Sequence, residues 1–226
     1  MQIEIKHGPS GTAALCHFSP GDTMTAESGS FMAMTPNITM TTSTRSRGKG
    51  GLLAGVKRLL SGESFFLNHF SAKGEGAVWM STPLPGDIVA REMKGEGLIL
   101  AGGAYIASGD GVGIDLQFQG FRGLFTGESL FWIRAQGTGP LLMGSFGHIY
   151  PVPVDGKYIV DSGHIVAFDE TLNFKISKAG GSWVHSFLGG EGLVCNFEGR
   201  GTVWCQSHNP GSFGQELTSY LRAKKG

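Results

Sequence analysis

The chain has 226 residues with 18 basic and 18 acidic side chains, so its formal net charge is zero. That balance argues against a nucleic-acid surface, which carries a basic excess, and a chain of this length buries enough surface to fold without disulfide or metal staples. No apolar run approaches the ~20 residues of a membrane-spanning helix, and the 38 glycines, set without a collagen period, point to short strands and tight turns.

The chain starts Met1-Gln2-Ile3-Glu4-Ile5-Lys6, without a secretory signal. With three cysteines, Cys16, Cys195 and Cys205, and no C-x-x-C spacing, this predicts reduced thiols in a cytoplasmic protein. Charged residues are 16% of the chain, which leans toward an oligomer, because subunit contacts are depleted in charge.

Internal repetition dominates the rest of the sequence. A Ser-Gly marker reads Glu27-Ser28-Gly29-Ser30-Phe31, Ala107-Ser108-Gly109 and Asp161-Ser162-Gly163-His164-Ile165. A Gly-Glu marker leading into an apolar strand follows at Glu63, Glu128 and Glu191, 65 and 63 residues apart. A Gly-x-Gly marker follows each, at Gly74, Gly137 and Gly199, 63 and 62 residues apart. Each unit therefore predicts strand, Ser-Gly turn, strand, Gly-Glu, strand, Gly-x-Gly turn, strand. The approximate repeats are 1–81, 82–144 and 145–226 within one all-β domain spanning 1–226.

In the first unit the stretch from Gly29 to Glu63 is longer than its counterparts, and the excess reads as helix. Leu52, Leu53, Val56, Leu59 and Leu60 form a helical apolar stripe with Lys57 and Arg58 opposite. Arg45, Arg47 and Lys49 precede it in a glycine-rich loop, so residues 45–61 form a basic helical insertion. Further along, residues 115–119 alternate as a strand. Tyr150, Val152 and Val154 alternate with Pro151 and Pro153, which predicts an edge strand because proline cannot donate to a ladder. Asp155-Gly156 then predicts a tight hairpin into residues 157–160. Residues 173–176 alternate again, and residues 215–225 predict a short C-terminal helix.

Chemistry-bearing patterns are sparse. The seven histidines form no H-x-H, H-x-x-E-H or zinc spacing. There is no G-x-S-x-G elbow, and Gly102-Gly103 and residues 109–113 lack the Gly-Lys-Ser/Thr of a phosphate loop. No cofactor and no catalytic residue is predicted. Cys195 and Cys205 read as core thiols on neighbouring strands, and Trp79, Trp132, Trp183 and Trp204 as core rather than base-stacking residues. The repeated glutamates Glu63, Glu128 and Glu191 read as structural carboxylates at strand starts. Arg45, Arg47, Lys49, Lys57 and Arg58 are the candidate partner contact, to a protein or an anionic membrane surface. Equally, the leucines cap the open end of the β core and leave these charges in water.

Several of these runs resemble one known family. They are residues 51–66 with Lys57-Arg58-Leu59-Leu60-Ser61-Gly62-Glu63-Ser64-Phe65-Phe66, Pro85-Gly86-Asp87-Ile88-Val89, residues 160–168, Gly190-Glu191-Gly192-Leu193-Val194, and Gly201-Thr202-Val203-Trp204-Cys205-Gln206. Together they resemble the family named after the yeast "altered inheritance of mitochondria" biogenesis protein, over nearly the whole chain. The resemblance implies three tandem short double-stranded β-helix units, similar to the tryptophan RNA-binding attenuation protein, and homotrimers forming nine-unit rings. It implies no enzymatic activity or ligand. Where the family pattern has a hydroxyl residue and arginine after Gln206, this chain has Ser207-His208. If that arginine pairs at a subunit contact, His208 makes the contact pH-sensitive.

The functional expectation is a non-enzymatic oligomeric scaffold or binding protein. Two alternatives stand beside it: an RNA-binding ring, which requires converging Lys and Arg and a steep salt dependence, and an enzyme with a site at subunit contacts built around His164 and Glu191.

Overall fold

The computed structural model describes residues 1–9, 11–43, 66–115, 132–178 and 193–221. Within them run fifteen strands, a 3-10 turn and one helix, so the chain is all-β, as its alternating patterns predict. The first part of the chain supplies β1 (Gln2–Lys6), β2 (Ala13–Phe18), β3 (Thr23–Glu27), β4 (Phe31–Met34), β5 (Ile38–Ser43), β6 (Leu67–Ala72) and β7 (Gly76–Ser81). Next come β8 (Ile88–Ala101), β9 (Tyr105–Gly109), β10 (Val112–Asp115) and β11 (Trp132–Gly144). The last part holds β12 (Ile149–Asp161), β13 (Ile165–Asp169), β14 (Asn173–Lys178), β15 (Leu193–Gln206) and the helix α1 (Pro210–Tyr220).

Alternation decides which face of each strand is buried. In β2, Ala14, Cys16 and Phe18 point inward while Leu15 and His17 are half-exposed. The strands form two antiparallel sheets, ordered β1-β2-β7-β4 and β12-β15-β13-β8-β11-β9-β3-β6-β5, with β10 on β11 and β14 on β15. Three strands share one set of neighbours. β7 lies between β2 and β4, β11 between the first half of β8 and β9, and β15 between the first half of β12 and β13. Each second partner has a bulge, at Phe31/Ala33, at Tyr105/Ala107 opposite Leu142/Met143, and at Ile165/Ala167.

The core follows the sheets in three clusters. One gathers Cys16, Phe18, Met24, Phe70 and Met80, a second Leu98, Leu100, Tyr105, Ile133 and Met143, and a third Trp132, Phe168, Phe174, Phe197 and Cys205.

Several local predictions change. The Gly-x-Gly markers at Gly137 and Gly199 are not turns. They lie inside β11 and β15, which continue through them. Asp155-Gly156 likewise makes no hairpin, because β12 runs unbroken from Ile149 to Asp161. The reason is the partner strand: Gly156 (φ 104°) faces Gly199 (φ 127°) across the ladder, so both strands bend together and pairing is kept. The middle Ser-Gly marker is a chance match. Ser108-Gly109 belongs to β9, and the turn between β8 and β9 is made by Gly102-Gly103. Cys195 and Cys205 share β15 rather than lying on neighbouring strands. The C-terminal helix begins five residues early, because Asn209 Oδ1 accepts the Gly211 and Ser212 N–H groups and Pro210 opens the first turn. The edge prediction for the Pro151/Pro153 strand holds among the described residues, where β12 ends the larger sheet. Asp115 closes β10, while residues 116–119, the helical insertion 45–61, Trp183 and residues 222–225 lie outside the described residues.

Candidate functional site

A cluster of buried polar groups forms where the loops before β2, β8 and β12 run together. Gly11-Thr12, Gly86-Asp87 and Gly147-His148 lead into these strands, and Gly86 and Gly147 form a parallel bridge. A side chain at Gly86 is excluded, since a Cβ there falls 1.8 Å from the Ser145 carbonyl oxygen. The backbone links run one way: Thr12 N–H donates to Gly86 O (3.2 Å) and Asp87 N–H to Gly147 O (3.0 Å).

Asp87 is the hub. Its carboxylate is buried, with a side-chain exposure of 9%. Oδ1 accepts the Thr12 hydroxyl at 3.1 Å; Oδ2 contacts His148 Nδ1 at 2.5 Å and accepts the Ile149 N–H at 3.3 Å. A buried carboxylate is tolerated when paired and hydrogen-bonded in this way. His148 is its opposite in exposure, 63%, with its ring stacked on Tyr150. Ser145 Oγ accepts from Asp87 N–H, and Ser207 Oγ accepts from His148 N–H, so the loop before β8 is latched by the residue after its partner β11, and the loop before β12 by the residue after its partner β15.

A second feature is a cavity of about 310 Å³ between β3, β6, β9, β10 and β11, lined by Thr25, His69, Asp110, Asp115, Arg134 and Gln136. Its arginine is committed elsewhere: Arg134 Nε and NH2 donate to Glu170 at 2.6 and 2.9 Å. Near the β3 end, burial pushes the Glu27 carboxyl up to about 7.

The residues singled out from sequence fare unevenly. Glu63, Glu128, Glu191, Arg45, Arg47, Lys49, Lys57 and Arg58 lie outside the described residues. His208 is exposed, with Nδ1 on Ser207 Oγ at 2.8 Å, its N–H donated to Phe146 O, and its ring 5.1 Å from Phe146. His164 is half-buried, Nδ1 contacting Gln206 O at 2.8 Å. All three cysteines are buried, as expected of core thiols, and burial raises the Cys16 and Cys195 thiols to about 12 and Cys205 to about 11. Trp132 is a core residue, while Trp79 and Trp204 are half-buried, Trp204 beneath Arg91 at 4.5 Å. Among the described residues no three His, Cys, Asp or Glu side chains converge to hold a metal ion, and no helix is long and apolar enough to cross a membrane.

Sequence reasoning missed Thr12, Asp87 and His148. Three different residue types occupy the three loops, and the one shared signal is the glycine before each, followed by an apolar strand.

Comparison with known proteins places the chain in a family. An uncharacterised protein of Streptococcus pyogenes serotype M6 is 32% identical over 227 aligned residues, covering 98% of this chain and 86% of the relative. The crystal structure of a Streptococcus pyogenes protein, from a structural genomics programme, superimposes with a TM-score of 0.79 at 28% identity, covering 97% of this chain and 99% of that one. The mitochondrial biogenesis AIM24 family model matches residues 3–208, and the chain belongs to that family.

Proposed function

We propose that the protein is a non-enzymatic scaffold or binding protein whose working form is a homo-oligomer, with the homotrimer as the form the sequence resemblance implies. The observation that carries this reading is a pair of outer strands with exposed apolar side chains. Among the described residues, β4 pairs only with β7 and β12 only with β15. Both expose large apolar side chains: Met32 at 54% and Met34 on β4, and Tyr158 and Ile159, the latter at 63%, on β12. Soluble proteins blunt such edges with charge or proline. Here Pro151 and Pro153 protect the first half of β12, whereas residues 157–161 contain no proline and carry the exposed Tyr158 and Ile159 between Lys157 and Asp161. Covering each apolar side chain gains about 1.5–3 kcal/mol, and clustered apolar exposure of this kind marks a protein contact. The polar groups at the loop junction support the same reading, because the Asp87 carboxylate is spent on joining strands.

Arg45, Arg47, Lys49, Lys57 and Arg58 are the proposed contact with a partner protein or an anionic membrane. Native mass spectrometry and vesicle sedimentation test both parts. The wild-type chain is expected to run as a discrete oligomer, and Met32→Asp as a single chain with unchanged circular dichroism; a Met32→Asp oligomer of wild-type mass would overturn the reading. Removing residues 45–61 is expected to leave the number of subunits unchanged and abolish recovery on anionic vesicles or with a partner, and unchanged recovery refutes the contact.

A further inference from the structure

Two junctions inside the chain are built to one plan, and only one of them is filled. In the first, β3 meets β9 through Met24–Gly109, Thr25–Ser108 and Ala26–Ala107. In the second, the end of β8 meets β13 through Leu98–Asp169, Ile99–Phe168 and Leu100–Ala167. The flanking ladders put further residues in correspondence. Leu67 lies opposite Glu27 of β3 as Trp132 lies opposite Ala101 of β8. Ser108 and Phe168 face Leu141 and Val203, and six residues earlier on those two strands Ala135 and Phe197 face Ile114 and Phe174.

The second junction is packed with rings. Trp132, Phe168, Phe174 and Phe197 are all buried, with neighbouring centroids between 4.7 and 5.7 Å apart. The matching places in the first junction hold Leu67, Ser108, Ile114 and Ala135, so four rings give way to smaller side chains. Tyr105, at the place of Ile165, returns one ring; its hydroxyl donates to Thr25 O at 2.8 Å and contacts Ser108 Oγ at 2.9 Å. What remains is the cavity of about 310 Å³, twice the ~150 Å³ of an apolar cavity that takes up benzene. Buried Leu67 and Val112 form its floor, Thr25 and Ile114 are half-buried above them, and exposed Asp110 and Asp115 stand at its mouth. Charge at that mouth is negative. The two carboxylates meet one guanidinium, that of Arg134, whose Nε and Nη2 are already donated to Glu170.

Independently of the oligomer proposed above, we infer that this cavity is a binding site for a small arylalkylamine, one aromatic ring joined by a short chain to a protonated amine. The ring takes the space that Trp132 and Phe174 fill in the second junction, against Leu67, Val112 and Ile114. The ammonium group stays at the mouth beside Asp110 and Asp115. There its hydrogen bonds are charge-assisted, and its contact with water avoids the cost of burying a cation. An apolar floor with a few polar groups at one end is the usual build of a small-molecule site. A ligand that carries a carboxylate, a free amino acid included, is rejected, because its anion meets the two aspartates.

Ligand-observed saturation-transfer NMR on the full chain tests this with three probes. Phenethylamine has both parts, 3-phenylpropionate has the ring with the opposite charge, and butylamine has the charge without the ring. Phenethylamine is expected to bind, and the other two to bind about 10-fold more weakly or less. Ile114→Phe places here the ring that Phe174 supplies in the second junction, and is expected to abolish phenethylamine binding while circular dichroism stays unchanged. Asp115→Asn alters an exposed residue and is expected to weaken phenethylamine about 5-fold, which keeps the test decisive where Ile114→Phe fails to fold. Absence of phenethylamine binding would overturn the inference and leave the cavity to water. Equal binding of the three probes would overturn it as well, as would wild-type affinity in a folded Ile114→Phe chain or in Asp115→Asn.

Discussion

Phe168→Ala is expected to lower stability by about 3–5 kcal/mol, the range for truncating a fully packed aromatic residue. Phe168 is 1% exposed and sits between three rings, with centroids 5.4 Å from Trp132, 4.7 Å from Phe174 and 5.1 Å from Phe197, all near edge-to-face. Such pairs contribute beyond their buried area. The residue also lies on a seam: it pairs with Ile99 on one side and Val203 on the other, so it ties β8 to β15 through β13. The surrounding rings are held on separate strands and cannot collapse into the space together, which places the loss at the upper part of the range. Equilibrium urea unfolding reads it directly. Phe168→Leu, which fills most of the volume, should lose about 1–2 kcal/mol. A Phe168→Ala loss below 1 kcal/mol contradicts the packing of this cluster.

The fold class was legible because alternation survives in single strands. Ala14, Cys16 and Phe18 announce a buried face whatever their partner is. Pro151 and Pro153 announce an edge for an equally local reason, the missing N–H. Turns were less legible. Asp155-Gly156 carries a strong hairpin signal, yet the glycine's positive φ is used to bend a continuous strand, and what decides between the two is Gly199, 43 residues away. Ser108-Gly109 matches the other Ser-Gly turns by letters alone. Its serine is buried in β9 and bonded to the Tyr105 hydroxyl at 2.9 Å, while Gly102-Gly103 makes the turn without any serine. The loop junction was not legible at all. Thr12, Asp87 and His148 share no side-chain chemistry, and their contacts span 75 and 61 residues. Conversely, the features that stood out most in the sequence, the repeated glutamates and the basic insertion, lie outside the described residues.

Replacing Asp87 by alanine is expected to cost about 3–5 kcal/mol, the range for breaking a buried, hydrogen-bonded charged contact. The carboxylate accepts from a buried hydroxyl, Thr12, and a buried backbone N–H, Ile149. Removing it strands both donors away from water, and each stranded donor costs about 1–3 kcal/mol. Asp87→Asn should cost less, about 1–2 kcal/mol, because an amide keeps an acceptor for Thr12 but turns an N–H toward the Ile149 N–H. His148→Ala should cost less than 1 kcal/mol in the single chain, since the imidazole is 63% exposed and water replaces it at Oδ2. The order Asp87→Ala, Asp87→Asn, His148→Ala, measured by urea unfolding, separates two roles for this cluster. If the carboxylate serves to join the loops before β2, β8 and β12, the cost follows the buried donors and the histidine is nearly silent. A His148→Ala loss as large as that of Asp87→Ala would place the stabilisation in the His148 contact, and an Asp87→Ala variant as stable as wild type would mean that the three loops are held by their backbone links alone.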